Sequence, residues 1–393
     1  MSKPQAIIIG AGFTGCATAH DLALRGFDVT VLERGDLATG TSGRTHGLLH
    51  SGARYCVTDQ ESAIECIDEA RILARIAAQC IENNGGLFIA VDENDLAFAD
   101  RFVEGAQTCH IPVDEITPQQ ALALEPAINP NLLAAYRVPD GTFDPLRLAM
   151  AFAATARAHG AVFKLYCQVE AMLTDGRGNL TGVRYWDRTT GERHELRGDI
   201  VVSATGAWAG EVAEMAGAQV PVRPTPGVMV AFDTRYTERA INRLNLPGDG
   251  DIVLPQRRMV VVGTTSFEAE DVNYIPVLEE QVAEMVKRGA ELIPALATAR
   301  VRGTYMSSRP LVGSGTQARS IARTFKCFDH KESDGIDCFV TITGGKATTC
   351  RAMAEATADM VCRKLGISAA CQTRDMPLHS YRDFYLDRVG VAA

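Results

Sequence analysis

Residues 6–34, AIIIGAGFTGCATAHDLALRGFDVTVLER, constrain this chain more than any other stretch. An apolar run at 6–9 enters a turn carrying Gly10, Gly12 and Gly15. A helix-like segment follows, and a second apolar run at 29–32 ends at Glu33. That order describes a βαβ unit suited to a dinucleotide. Gly10 allows the tight turn, Gly12 lets backbone approach a pyrophosphate, and Gly15 lets helix and sheet pack closely. The helix N-terminus offers unpaired N–H groups to phosphate oxygens. Glu33 stands 21 residues past Gly12, where a carboxylate accepts hydrogen bonds from a ribose diol. A glycine turn of this kind also arises for packing alone, but here strand, glycines, helix, strand and acid all fall in register.

At 393 residues and 46% hydrophobic content, the chain can bury a large core and divide into two domains. A formal charge of −9 argues against nucleic acid as a partner and gives no pull toward anionic lipid. The first apolar run is too short and too soon broken by glycine for a signal peptide. No stretch approaches the ~20 apolar residues that span a bilayer, so the expected location is cytoplasmic, with at most peripheral membrane association. The 11 cysteines are scattered, with no CxxC and no Cys/His spacing of a metal site, and read as free thiols; no metal is expected.

Further along, a helical pattern runs from about 61 to 83, and 86–99 alternates like a hairpin. A helix opens with Pro145 and stops at Gly160. Residues 161–173 read as one strand, followed by hairpins to 198, and 219–268 are strand-rich. Segments 199–208 (DIVVSATGAW) and 338–346 (ending in TITGGK) each bring a strand into a glycine turn, the place where an open α/β sheet binds ligand. Both are expected to fold back onto the first βαβ unit. The fold class is therefore α/β, with a discontinuous Rossmann-like domain from 1–80, 140–218 and 303–370. A strand-rich substrate domain comes from 81–139 and 219–302, and 371–393 is a C-terminal tail.

These residues alone allow either NAD or FAD. The extra glycine turns at 204–208 and 343–346 suit a longer, retained cofactor. The segments IIIGAGFTG, ATGTSGRTHGLLHSGARY, VPDGTFDP, VGTTS, SSRPLV and TITGGKATTCRAMAE occur in that order from about residue 6 to 366. Through them the chain resembles the FAD-dependent glycerol-3-phosphate dehydrogenase family, most of all the large subunits of its anaerobic bacterial branch. The resemblance implies a two-domain flavoprotein fold of the amino-acid-oxidase type.

It also implies that FAD is held by Gly10, Gly12, Gly15 and Glu33, with Thr41 and Ser42 near its phosphates or flavin. Gly206, Gly344 and Gly345 would close around it, and Val169 would give backbone contact to adenine. The alternative for Thr41 and Ser42 is simple turn or helix-cap chemistry. The glycine turn at 343–345 opens a helix, whose N–H groups suit a flavin carbonyl or phosphate. On the same match His50, Arg54, Tyr55, Arg309 and Lys346 line the substrate pocket. Arginine forks and a lysine suit a phosphomonoester; His50, as base, and Arg309 are the catalytic candidates, although His50 taken alone reads as a structural histidine or one packed against the flavin. Taken singly, each cation reads as a solvated surface group.

The implied reaction is oxidation of sn-glycerol 3-phosphate to dihydroxyacetone phosphate. Electrons would pass to quinone or an electron-transfer partner subunit. The large subunits of this branch continue into a cysteine-bearing iron–sulfur region. This sequence shows no such cluster in the 27 residues after Gly366, so a built-in relay is not expected. Two other readings stay open: an FAD enzyme for another polyol phosphate or 2-hydroxy acid, and a non-catalytic flavoprotein subunit.

Overall fold

The computed structural model describes residues 3–268, 271–313 and 324–386. The first apolar run becomes strand β1 (Gln5–Ile9), followed by helix α1 (Phe13–Leu24) and strand β2 (Asp28–Leu32). β1 is the inner strand of a six-stranded sheet. On one side it pairs in parallel with β2, which in turn pairs with Val162–Lys164. On the other side it pairs in parallel with Ile200–Ser203, then Phe339–Gly344, with Phe325–Asp329 antiparallel at the edge. Covered on both faces, the inner strands β1 and Ile200–Ser203 are near-continuous apolar runs rather than alternating. One face packs on α1, Pro145–Ala158 and Cys350–Leu365, where Ile8, Val31, Phe152 and Met353 share a core. The other packs Ile7, Leu32 and Val201 against Val183 and Tyr185 of a small antiparallel sheet, Cys167–Thr174, Leu180–Asp187 and Arg193–Arg197.

A second sheet of eight strands runs in the order Val301–Val312, Val222–Phe232, Met259–Gly263, Ile252–Gln256, Ala240–Arg243, Gly86–Ala90, Ala134–Val138 and Asp114–Ile116. All its pairs are antiparallel except Ala240–Arg243 with Gly86–Ala90. Helix Glu279–Leu292 covers one face through Met285 and Leu292. Phe102, in helix Ala99–Thr108, packs on Phe88 of the other.

Four details differ from the sequence reading. Val301–Val312 pairs along its length with Val222–Phe232, so the divide between the two sheets falls after residue 312 rather than at 303. The tail is not loose as far as 386: Leu378 N donates to Ile76 O at 2.8 Å, and Phe384 is buried in the first core. Residues 387–393 lie outside the described set. The expected hairpin at 86–99 is one strand and a short helix, Glu93–Ala97, because Asp92 caps it by accepting from the Asp95 amide. The strand at 161–173 splits at Tyr166, whose φ of 59° turns the chain into the small sheet.

Candidate active site

A cavity of about 680 Å³ lies between the C-terminal ends of the first sheet and the edge of the second. At one end stands the glycine turn. The Gly10 amide donates to Leu32 O at 2.8 Å, extending β1 beside β2, and Gly10 has φ of 101°. A Cβ on Gly15 would sit 1.9 Å from Gly10 O, so helix and turn meet only because Gly15 lacks a side chain. Gly15 is thus a packing residue behind the cavity wall, while Gly10 and Gly12 line it. The Glu33 carboxylate braces the turn, accepting from the Ala11 amide at 2.8 Å and the Gly35 amide at 2.9 Å. The Ser42 hydroxyl accepts from the Phe13 amide at 2.9 Å at the start of α1, and Ser42 lines the cavity. Thr41 Oγ1 donates to Ser308 O at 2.6 Å, and Thr41 also lines the cavity.

The later glycine turns close this end. Thr343 Oγ1 donates to Gly206 O at 3.1 Å, tying the turn at 204–208 to the one at 343–346. Gly206, Gly344, Gly345 and Val169 all line the cavity. A clasp that the sequence did not signal sits near Glu33: the Arg34 guanidinium lies 4.2 Å from the centroid of the Trp208 ring, and Trp208 Nε1 donates to Asn273 Oδ1 at 2.8 Å.

At the other end the side chains form an arc. Lys346 Nζ lies 5.0 Å from the centroid of the Tyr55 ring. That ring is 5.2 Å from His50, and His50 is 6.2 Å from His46, centroid to centroid. Burial first, then the Arg309 charge, lowers the His46 pKa to about 4. Arg309 projects from Val301–Val312. Its Nη2 donates to Thr264 Oγ1 and, at 3.1 Å, to Thr265 O; its Nη1 donates to Thr225 O at 3.4 Å. The VGTTS segment therefore serves as the rest on which Arg309 is aimed. Thr264 is a site residue that sequence reasoning missed, although the motif was its signal.

Arg54 stands apart from its expected place. It does not line the cavity; it turns into the interior, donating from Nη2 to Asp251 and from Nη1 to Arg243 O at 3.2 Å. Both members of this pair are buried, at 8% and 3% exposure. A second buried carboxylate, Asp140, accepts from the Ser51 amide at 2.8 Å and from Asn242 Nδ2 at 3.2 Å. Two carboxylates thus anchor the HSGARY turn to the second sheet.

The donor set fits FAD. Gly12 keeps the turn open to backbone approach, with only the Ser42 hydroxyl 2.9 Å from where a Cβ would stand. Thr14 in the first turn of α1 lines the wall, and the extra glycine turns enclose the space beyond. Among the described residues no group of His, Cys, Asp and Glu side chains could hold a metal, and no helix is long and apolar enough to cross a membrane.

Comparison with known proteins agrees with this geometry. The FAD dependent oxidoreductase family model matches residues 5–360. The chain is 44% identical to one of the subunits of the anaerobic glycerol-3-phosphate dehydrogenase of Escherichia coli (strain K12), over 95% of this chain and 69% of that protein. It is 42% identical to a subunit of the enzyme of the same name from Haloferax volcanii, over 99% of this chain and 69% of the other. Among solved structures, glycerol-3-phosphate dehydrogenase from Bacillus halodurans complexed with FAD superposes with a TM-score of 0.75 at 23% identity, over 98% of this chain and 71% of that one. L-proline dehydrogenase from P. horikoshii gives 0.75 at 21%, over 99% of each. Both likenesses are of fold, the two-domain architecture shared by amino-acid and glycerophosphate oxidases. The chain belongs to the FAD-dependent oxidoreductase family, in the branch of the anaerobic glycerol-3-phosphate dehydrogenases.

Proposed function

We propose that this chain oxidises sn-glycerol 3-phosphate to dihydroxyacetone phosphate with FAD as cofactor. The observation that carries the reading is the run of ring contacts from Lys346 through Tyr55 to His50, in a cavity that Arg309 also lines, in a chain of this family branch. FAD, when bound, supplies a two-electron acceptor. Gly10, Gly12, Glu33, Thr41, Ser42, Val169, Gly206, Gly344 and Gly345 would hold it, with Gly15 behind them. Arg309 and Lys346 supply positive charge to a phosphate dianion, and the rest formed by Thr264 and Thr265 fixes the Arg309 fork before substrate arrives. His50 takes the proton of the substrate hydroxyl, with the Tyr55 ring beside it as an apolar wall.

In this reading electrons leave for a quinone or for an electron-transfer partner subunit. The reaction is cytoplasmic, on a protein held at most peripherally on the inner face of a membrane. The test is anaerobic addition of glycerol 3-phosphate to the purified holoenzyme. Prompt loss of the oxidised flavin band, abolished in Arg309→Ala, supports the assignment. A band that persists in the wild-type protein rejects the substrate.

A further inference from the structure

His46 is a cavity group for which the reaction above has no task. Its ring is fixed locally: Nδ1 accepts from the Leu48 amide at 3.1 Å, and the His46 carbonyl accepts from Gln256 Nε2 at 2.9 Å. With Nδ1 engaged as an acceptor, the neutral ring carries its proton on Nε2. Nε2 has no protein partner among the described residues, yet it is not one of the sealed, unpartnered atoms of the interior, because the ring lines the cavity. The lowered pKa keeps this imidazole neutral at physiological pH. His46 is therefore ill suited to act as a base, since its basic nitrogen is turned to Leu48. It is well suited to donate.

We propose that His46 is a substrate-contacting hydrogen-bond donor, whose Nε2–H binds an oxygen of the same anionic group that Arg309 engages. The assignment rests on reading the cavity as a glycerol 3-phosphate site. Chemically it complements the cations. Arg309 and Lys346 already balance a phosphate dianion, and a neutral N–H adds direction without a third positive charge. A phosphate or sulfate presents acceptor-only oxygens to such a donor, whereas a ligand placing a hydroxyl or ammonium hydrogen there meets another donor and is disfavoured. Two histidines four positions apart, on either side of the short strand Leu48–Leu49, thus divide two tasks: His50 receives a proton and His46 keeps one.

The test uses the FAD-loaded protein and sulfate, a dianion that cannot be oxidised, so binding is read by calorimetry without turnover. His46→Leu is expected to bind sulfate about tenfold more weakly, the scale of one hydrogen bond to a charged group. In anaerobic flavin reduction the same variant should raise the half-saturating glycerol 3-phosphate concentration similarly, with the limiting rate nearly unchanged. His46→Gln, which retains a donor, should recover most of the affinity. Should His46→Leu not fold, His46→Phe makes the same donor deletion on a ring. Unchanged sulfate affinity on donor deletion overturns the proposal, as does a glutamine variant no better than leucine. So does a collapse of the limiting rate with affinity intact, or a wild-type protein that binds no sulfate. A wild-type protein that binds sulfate through His46 but is not reduced by glycerol 3-phosphate rejects the substrate and leaves the donor assignment standing.

Discussion

The two ends of the cavity are built differently. Around the glycine turn the wall is largely main chain, set by residues within one βαβ unit and held by packing so close that a single Cβ does not fit. Around the arc the wall is side chains, brought from segments near residues 50, 264, 309 and 346 and aimed by hydrogen bonds. At Gly10 and Gly15 the first end leaves no room for a Cβ. The second tolerates small changes of shape but depends on charges being anchored. Damage at the first should cost cofactor and fold together; damage at the second should cost binding or catalysis while the flavin stays.

The sharpest test is Gly15→Ala. A methyl group 1.9 Å from Gly10 O must force helix and turn apart, so destabilisation above about 4 kcal/mol and loss of bound FAD are expected. Flavin content and thermal unfolding read both. A stable, yellow variant would show that the turn can yield, and would break the contrast.

Next is Asp251→Ala, which strands the buried Arg54 guanidinium and should cost about 3–5 kcal/mol by denaturant unfolding. Adding Arg54→Ala should recover part of that loss, as expected of two residues acting as a unit. Arg54→Ala alone should weaken glycerol 3-phosphate binding far less than Arg309→Ala does. Equal losses of binding would return Arg54 to the pocket.

Arg309→Ala itself should lower kcat/KM for glycerol 3-phosphate about a hundredfold, from the loss of charge-assisted hydrogen bonds, with the visible spectrum retained. A variant that also loses FAD would show that the two ends are not separable.

The effect that is absent at neutral pH, and so smallest there, concerns the core behind the glycine turn. His20 on α1 is fully buried with neither ring nitrogen partnered. Burial first, then the charges of His159 and His379, lowers its pKa to about 3. The folded value lies below the unfolded 6.5, so the unfolded chain takes up the proton first. Stability is therefore complete above pH 6.5 and falls as pH drops toward 3, by about 1.4 kcal/mol per unit. His20→Leu should flatten the dependence of melting temperature on pH between 6.5 and 4. An unchanged slope would mean that His20 finds a partner when protonated.

The same contrast explains what the sequence could disclose. The glycine turn and Glu33 were legible because their geometry is local and their spacing is dictated by one turn and one helix. The arc was legible only through family resemblance, since nothing local brings Arg309 to His50. Arg54 looked like its neighbours in the motif; its diversion depends on Asp251, 197 positions away, in a loop with no signature. His46 was in plain view inside THGLLH, but which of its nitrogens is free is decided by a main-chain amide two residues on. The reach of the last strand of the second sheet was missed because Val301–Val312 carries no periodicity that tells one sheet from another.

The order of strands in the first sheet has a consequence for how the protein is made. β1 lies between β2, close by in the chain, and Ile200–Ser203, nearly two hundred residues later; the strand beyond that is Phe339–Gly344. As the chain leaves the ribosome, its first strand must wait for one of its last neighbours, and Leu378 then closes onto Ile76. The sheet that carries the glycine turn is thus begun with β1 and completed only with Phe339–Gly344. Slow, non-local pairing of this kind leaves apolar edges of the first sheet open until Phe339–Gly344 has been made, so the growing chain is exposed to aggregation over most of its synthesis.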